Sequence, residues 1–564
     1  MKTPWTDLVD RSAPLPEYPR PQMVRQGWMN LNGLWDYAIT DSSRFPRAFD
    51  GEILVPFSPE TELSGVGRAL KGGQYLWYRR TVTLPTSFSG RRILLHFGAA
   101  DQIAAVWVND ALAMQHAGGY LPFEADVTDF IVGGAMTITV RISDETERSE
   151  LPRGKQRTRH GGIWYTPQSG IWQTVWLEAV PTSYVKALRI TPDLDGACVR
   201  VAAETVGGET ACAVFGGEEY RLPAAIPVPG YEAWSPEHPK LYPFSVRCGE
   251  DLVQSYFAMR SFSVEADERG VQRLFLNGKP YFHNGLLDQG YWPDGLYTAP
   301  CDEAMIYDIS TAKSMGYNML RKHMKIEPLR WYYHCDRLGM LVWQDMPSGG
   351  GHYNPAVITA PLVTGLHLPD RIYPLFARTN RGAREEFRSE LRELVRHLYN
   401  CPCIAVWVPF NEGWGQFDAA AVYEELRELD PSRTIDHASG WHDQGVGPVR
   451  SEHVYFRKYA FRPDKKGRAV LLSEFGGYNL RVDGHCWGQR DFGYKRFDGP
   501  EDLREALAAL YRDEIAPAAR EGLAAAVYTQ LSDVEDELNG LLTYDRKVVK
   551  INPDIVKNIS KVEI

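Results

Sequence analysis

The sequence lacks long hydrophobic runs, paired-cysteine motifs and a surplus of basic charge, and each absence excludes a class of protein. No apolar run in the 564 residues approaches the ~20 that a membrane-spanning helix needs, and the polar N-terminus MKTPWTDLVD is unlike a secretory signal peptide. The eight cysteines form no Cys-x-x-Cys pair and no zinc-ligand spacing. A net charge of −10 excludes the basic footprint of a nucleic-acid-binding protein. We therefore expect a soluble cytoplasmic protein with no metal, no cofactor, no nucleic-acid partner and no membrane partner.

Size and composition indicate a folded chain of several domains. Hydrophobic residues make up 44% of the chain and charged residues 24%, which is typical of globular proteins. A length of 564 residues predicts about three domains. Short runs with a two-residue period, such as Met136 to Ile142, predict an antiparallel β-sandwich over residues 1–180. Similar short strands continue over residues 181–262, a length that suits one Ig-like sandwich.

After residue 263 the hydrophobic period changes to a repeating alternation of helix and strand. Helical faces, for example Phe387, Leu391 and Leu394, end at punctuating residues and are followed by short apolar strands. Eight strands are predicted near residues 281–287, 317–322, 340–345, 404–408, 434–438, 450–455, 469–473 and 524–530. Eight strand–helix alternations over about 300 residues predict a (β/α)8 TIM barrel over residues 263–564. A doubly wound sheet is the alternative, but no glycine-rich phosphate loop follows the first strand.

Two glutamates stand where a TIM barrel carries its chemistry, at the C-terminal ends of strands. Glu412 follows the fourth predicted strand, and Glu474 ends the seventh. The ordinary interpretation of a loop glutamate is a solvated side chain, but each of these two terminates a hydrophobic strand. From opposite sides of the barrel mouth, their carboxyl groups can lie about 5 Å apart across a sugar, as a retaining glycosidase requires. The amide of Asn411 would then face the 2-hydroxyl of the substrate.

Motifs along nearly the whole chain strengthen this interpretation. They are LNGLW at 31–35, SGIWQTVWLE at 169–178, WSP at 234–236, LNGKP at 276–280, the Asn411-Glu412 pair, SEFG at 473–476 and TQL at 529–531. With these motifs the sequence resembles glycoside hydrolase family 2, which includes β-galactosidases, β-glucuronidases and β-mannosidases. The resemblance implies a sugar-binding jelly roll, an Ig-like domain and a catalytic TIM barrel. It also implies a retaining exo-β-glycosidase that acts on a carbohydrate substrate, and it leaves open a homo-oligomer, because β-domains of that family often build dimers.

The resemblance also implies roles for individual residues. Glu412 matches the family's general acid/base, and Glu474 matches its nucleophile. Tyr455, at the end of the sixth strand, looks like the tyrosine that hydrogen-bonds the nucleophile, although a packed rim aromatic is the alternative. Arg321, at the end of the second strand, resembles the arginine that pairs with the nucleophile and favours its charged form.

Further residues are predicted at the mouth with roles left open. His323 stands two residues after the arginine, whereas many family members place that histidine three after it, so a structural rim histidine is equally favoured. Asp345 ends the third strand and is expected to support the site or to bind sugar hydroxyls. Trp414, two residues past the acid/base, is a candidate aromatic platform. The other rim candidates are Asp288, Trp343, His453 and Trp441.

The sugar is less well determined than the reaction. A β-galactoside is favoured by family frequency alone, ahead of β-glucuronide, β-galacturonide and β-mannoside. Asn539-Gly540-Leu541 lacks the lysine of the Asn-x-Lys motif with which β-glucuronidases hold a carboxylate. An acidic sugar is therefore less expected, unless a loop brings Arg157, Arg159 or Lys322 to the site.

Two alternatives come from other functional classes. The first is a carbohydrate-binding protein whose barrel has lost catalysis, although both expected carboxylates are present. The second is a metal-dependent barrel hydrolase using His323, His437 and His453, although these histidines are not spaced as a ligand motif.

Overall fold

Two β-sandwiches precede an α/β barrel in the computed structural model, which describes residues 1–564 apart from the side chains of residues 362 and 363. The six-stranded sheet of the first sandwich contains, in spatial order, Gly51–Val55, Gly33–Thr40, Tyr75–Thr83, Ala135–Ser143, Ile103–Val108 and Ala111–Ala117. Its four-stranded sheet contains Trp28–Asn30, Val175–Val180, Arg92–Phe97 and Phe123–Asp126, and a two-stranded ribbon joins Gly170–Ile171 to Ala100–Asp101. The period-two pattern explains the packing, because Met136, Ile138, Val140 and Ile142 all enter the core between the sheets.

The second sandwich has the seven strands of an Ig-like domain. One sheet contains Tyr184–Asp193, Cys198–Val206 and Ala224–Pro227, and the other contains Glu218–Arg221, Cys212–Phe215, Tyr242–Cys248 and Asp251–Phe257. A buried ion-pair network ties the two sandwiches together. Arg25 donates to Glu178 of the first sandwich and to Asp251 of the second, at 2.8 and 2.9 Å.

All eight predicted barrel strands are confirmed as one parallel sheet. In chain order they are His283–Asp288, Met319–Lys322, Leu341–Asp345, Ile404–Val408, Thr434–Ile435, Val449–Val454, Ala469–Gly476 and Leu523–Thr529. Consecutive strands pair around the barrel, and the eighth pairs with the first, so that the sheet is open only between the fifth and the sixth. A small antiparallel sheet of Phe262–Ala266, Gln272–Leu276 and Lys279–Pro280 leads into the barrel.

The helical layer is less regular than the sequence predicts. The α-helices are Asp302–Ser314, Leu329–Leu338, Pro355–Thr364, Arg381–Leu398, Ala419–Leu429, Pro500–Leu510, Ala516–Glu521 and Pro553–Ile559. In the backbone described at 436–448 and 455–468 no helix follows the fifth or the sixth strand, so the expected eight alternations are wrong. Gly447 takes a φ of +75° next to Pro448, a conformation that does not continue a right-handed helix. Among the described helices, none has the length and apolar character needed to cross a bilayer.

A loop of the first sandwich, residues 150–166, lies on the barrel mouth, and we refer to it as the first-domain loop. The backbone N–H groups of Arg153 and Gly154 donate to Ser348 O at 2.8 and 3.0 Å. The Arg153 guanidinium donates to Gly350 O at 2.6 Å. Ser348 and Gly350 follow the third barrel strand, so the loop is fastened to the same end of the barrel as the predicted chemistry.

Candidate active site

The two glutamates predicted from the sequence meet in the barrel mouth. Glu412 follows the fourth strand, and Glu474 lies in the last part of the seventh. One carboxylate oxygen of each lies within 4.8 Å of the other, together with a nitrogen of His453. Both residues are largely buried, at 8% and 5% exposure. Two acids from opposite strands therefore share one desolvated hollow.

Charges and hydrogen bonds around Glu474 favour its ionised form. Arg321 Nη1 donates to Oε1 at 3.1 Å, and the Tyr455 hydroxyl donates to Oε2. Burial alone would raise the pKa of Glu474, but the neighbouring His453 and Arg321 outweigh it and lower this pKa below its ordinary value. Burial raises the pKa of Tyr455 well above its ordinary value, so that the phenol keeps its proton and remains a donor. A lowered pKa is what a carboxylate nucleophile needs.

Arg321 is fully buried and binds several polar side chains of the site at once. Besides Glu474, its guanidinium binds Asp345, with Nη2 to Oδ2 at 2.9 Å, and donates to Asn411 Oδ1 at 2.7 Å. Asp345 also contacts His323 Nδ1 at 2.7 Å. Asp345 thus holds the arginine and the histidine in place. Its two oxygens are engaged by these neighbours, which favours the supporting role over direct binding of sugar hydroxyls.

His323 is held as a neutral imidazole at the edge of the hollow. Desolvation lowers its pKa well below the ordinary value, and the nearby Lys155 lowers it further. Its ring lies 6.4 Å from that of Trp414. The structure therefore gives His323 a fixed position at the mouth although its spacing from the arginine differs from the family pattern.

The backbone at Glu412 is strained and firmly held. Its φ is +51°, in the left-handed region that costs a residue with a side chain about 1–2 kcal/mol. Its N–H donates to Ser439 O at 2.9 Å, and the Trp441 indole donates to its carbonyl at 2.8 Å. Trp441 thus positions the acid through the backbone. Strain of this kind persists only where surrounding contacts fix it, and such sites are often functional.

His453 bridges the two acids. Its Nδ1 lies 2.9 Å from Glu412 Oε1 and 3.4 Å from Glu474 Oε2, and its Nε2 lies 3.1 Å from Ser439 Oγ. Imidazole and carboxylate groups are common ligands of divalent metal ions. Among the described residues, Glu412, His453 and Glu474 form the group that could hold such an ion. The histidines of the metal alternative are not gathered, since His437 pairs with Asp443 and His323 with Asp345. The absence of a metal stays a prediction.

The remaining rim candidates have different environments. Asp288 accepts from Lys322 Nζ at 2.6 Å and from the Gly290 N–H, so both of its oxygens are engaged. Trp414 is buried beneath Trp164, with ring centroids 5.1 Å apart, and therefore forms the wall of the hollow. The prediction that Trp343 lies at the rim is wrong. It is fully buried, and its indole donates to His283, at the start of the first strand.

The cations that the sequence offered for an acidic sugar are placed differently. Lys322 is bound by Asp288 and Glu327, and Arg159 is exposed. Arg157 lies over the Trp164 ring, 3.7 Å from its centroid.

Several residues of the mouth were missed by the sequence analysis. They are Lys155, Trp164, Tyr494 and Glu537. Tyr494 stacks on Tyr455 with ring centroids 3.7 Å apart, and Glu537 accepts from Tyr165 of the first-domain loop. The only sequence signal was local, namely basic residues at alternate positions from Arg153 to Arg159 just before Trp164-Tyr165.

Comparison with known proteins identifies the architecture. Residues 70–181 match the family model of glycosyl hydrolases family 2, sugar binding domain, and residues 271–469 match that of glycosyl hydrolases family 2, TIM barrel domain. The chain is 24% identical over 489 residues to a β-glucuronidase of Chlorocebus aethiops, covering 74% of this chain and 70% of the relative. It is 23% identical over 380 residues to a β-galactosidase of Thermoanaerobacter pseudethanolicus, covering 63% and 46% respectively.

A solved structure has the same fold over nearly its whole length. The β-D-glucuronidase of Dictyoglomus thermophilum superposes with a TM-score of 0.74 at 19% identity, covering 97% of this chain and 99% of that one. The two matched family models together span more than half of the sequence. The chain therefore belongs to glycoside hydrolase family 2 and is a glycoside hydrolase.

Proposed function

We propose that the protein is a retaining exo-β-glycosidase that removes terminal β-linked sugars through a covalent glycosyl-enzyme intermediate. The observation that carries the proposal is the short separation of the two acids. One carboxylate oxygen of Glu412 lies within 4.8 Å of one carboxylate oxygen of Glu474. Retaining enzymes hold their two carboxyl groups about 5–5.5 Å apart, whereas inverting enzymes leave about 6.5–9.5 Å for a water. The spacing supports direct attack by one carboxylate.

Glu474 is the proposed nucleophile. Its lowered pKa keeps the carboxylate ionised, and Arg321 and Tyr455 hold one oxygen each. In the first step a Glu474 oxygen bonds to the anomeric carbon while the bond to the leaving oxygen breaks. In the second step water displaces Glu474 and restores the free carboxylate.

Glu412 is the proposed general acid and base. It gives its proton to the leaving oxygen in the first step and takes a proton from the attacking water in the second. The His453 contact and the fixed backbone hold its carboxyl group opposite Glu474. Such exchange of roles by one residue requires that the carboxyl group face both the leaving group and the incoming water.

Asn411 is the proposed contact to the sugar. Its Oδ1 accepts from Arg321, which orients the amide, and its Nδ2 has no hydrogen-bond partner among the described residues although it is buried. A buried donor without a partner costs about 1–3 kcal/mol. A sugar hydroxyl would remove that cost, which supports the expected contact to the 2-hydroxyl.

The test combines a substrate panel with product stereochemistry. The panel contains 4-nitrophenyl β-galactoside, β-glucoside, β-glucuronide, β-galacturonide and β-mannoside. Family frequency favours the galactoside, while the relatives include both a β-glucuronidase and a β-galactosidase. The first product seen by NMR should have the β configuration of the substrate, and an α first product would contradict the mechanism.

A matched variant separates the enzyme from the alternative of an inactive sugar-binding protein. Glu474→Gln keeps the size of the side chain but removes the nucleophile, so we expect turnover to fall close to the uncatalysed rate. Wild-type protein that binds sugars but hydrolyses none of the panel would support the binding protein instead.

A further inference from the structure

The largely buried side chain of Lys155 brings an ammonium group to the barrel mouth. It belongs to the first-domain loop and is only 5% exposed. Its Nζ lies 4.7 Å from the Trp414 ring centroid and 5.9 Å from that of Trp164. The aromatic faces attract the cation but leave its three N–H donors without acceptors.

The other buried lysines of this region are paired. Lys322 is held by Asp288 and Glu327, and Lys325 by Glu327 and two backbone carbonyls. Lys155, by contrast, makes no ion pair and donates no side-chain hydrogen bond to any of the described groups. A bound ligand that cuts this cation off from water without supplying a counter-ion would bind at a cost. An anionic group of a ligand would supply the missing partner.

The neighbours of Lys155 place it at the same barrel mouth as the catalytic carboxylates. Trp414 is two residues past Glu412 and borders His323. The positive charge of Lys155 acts on His323, on Asp345 and on Glu537, which follows the last barrel strand. Burial raises the pKa of Glu537 and Lys155 lowers it in part, but the two carboxylate oxygens of Glu537 accept from Tyr165 and Asn539 and neither accepts from Lys155. The ammonium therefore lies in the wall that Trp414 and Trp164 form at the barrel mouth.

The position of Lys155 is fixed by the fold. The preceding Gly154 has a φ of +61°, and a Cβ on it would stand 2.6 Å from Met324 O. This close approach, with the hydrogen bonds to Ser348, presses the loop onto the end of the second barrel strand. A cation carried on a fixed backbone is suited to discriminate between substrates, because its position adapts little to a sugar that lacks the partner.

We propose that Lys155 binds the carboxylate of a terminal uronic acid, so that the preferred substrates are β-glucuronides or β-galacturonides. The inference rests on the proposed glycosidase function and specifies its sugar. A neutral galactoside would cut the ammonium off from water without pairing it, whereas a uronate carries the carboxylate that would pair with it. The negative charge of the carboxylate, which a β-galactoside lacks, is thus the feature by which the site would select its substrate.

Lys155→Met is the decisive variant, because methionine keeps much of the apolar packing against Trp414 and removes only the charge. On 4-nitrophenyl β-glucuronide and β-galacturonide we expect kcat/KM to fall about a hundredfold or more, as for loss of one member of a buried charge pair. On the matching glucoside and galactoside, kcat/KM should stay within about threefold of the wild type or rise. Arg159→Ala, an exposed cation of the same loop, is the control and should leave both values unchanged.

All of these substrates have the same 4-nitrophenyl leaving group, so a difference between them must come from the sugar and its carboxylate. A loss of equal size on charged and neutral sugars would overturn the proposal, as would a wild type that prefers neutral sugars. An effect confined to neutral glycosides of a 4-carboxyphenyl leaving group would assign Lys155 to the leaving group and would also overturn it. Inhibition of the wild type by free glucuronate and galacturonate, compared with glucose and galactose, tests the same point without a variant, and equal inhibition contradicts it.

Failure of the glycosidase proposal gives a different result. In that case no panel member is hydrolysed, or Glu474→Gln is as active as the wild type. If neutral glycosides are hydrolysed with retention and uronides are not, the mechanism stands and only the role of Lys155 is lost.

Discussion

Removal of the Tyr455 hydroxyl measures how the site keeps its nucleophile ionised. In Tyr455→Phe the ring can remain stacked on Tyr494, so the change removes only the hydroxyl, which donates to Glu474 Oε2 and lies 3.0 Å from Thr529 Oγ1. A hydrogen bond to a charged group is worth about 1.5–3 kcal/mol. One pKa unit corresponds to about 1.36 kcal/mol, so the pKa of Glu474 should rise by about one to two units. The sign follows because the hydroxyl donates to the carboxylate and so stabilises the charged form.

The assay is the pH dependence of kcat/KM, whose acid limb reports ionisation of the nucleophile in the free enzyme. The limb should move to higher pH in Tyr455→Phe, while Arg321, His323 and His453 still face Glu474 unchanged. Tyr528→Phe is the matched control, because this buried hydroxyl has no hydrogen-bond partner among the described residues. An acid limb that stays in place or moves to lower pH would refute the reasoning.

Four further outcomes are expected. Glu412→Ala should lose most activity on poor leaving groups, and azide should restore it with a product of retained β configuration; an inverted glycosyl azide would mean that the roles of the two acids are exchanged. Trp441→Phe should lower kcat up to about tenfold, since one hydrogen bond to the strained acid is lost, and an unchanged kcat would contradict that positioning role. Arg25→Met should lower the free energy of unfolding by about 3–5 kcal/mol in a denaturant titration, because the buried carboxylate of Asp251 loses its cation and that of Glu178 keeps only Arg20. The exposed ion pair of Arg91 is its control, with under about 1 kcal/mol expected for Arg91→Met, and equal losses would contradict the argument. Activity should survive a chelator, and a loss that a divalent ion restores would show that the site needs a metal.

The sequence predicted the eight strands and the acids at their ends because both depend on local pattern. A buried parallel strand is a short apolar run, and the residues at its end follow within a few positions in the chain, as Glu412 follows Val408 and Glu474 follows Leu472. The mouth of a barrel collects all such ends, so the meeting of the two acids followed from the strand count.

The sequence did not predict how deep in the barrel each inward-facing residue of a strand lies. Trp343 and Asp345 alternate onto the same inward face of the third strand, but Trp343 lies one layer deeper and contacts His283. A strand buried on both faces gives no contrast between its layers. The rim therefore could not be separated from the interior by hydrophobic period alone.

By itself the sequence determined the order of two β-sandwiches and a barrel, and the two carboxylates that face each other in its mouth. Only the tertiary structure decided that Lys155 and Trp164, far from the barrel in sequence, form part of the wall beside Trp414. It also decided that Lys322 is neutralised by Asp288 while Lys155 is not. The physical reason is that hydrophobic period records which face of an element is buried, whereas contacts between domains depend on how separately folded surfaces pack.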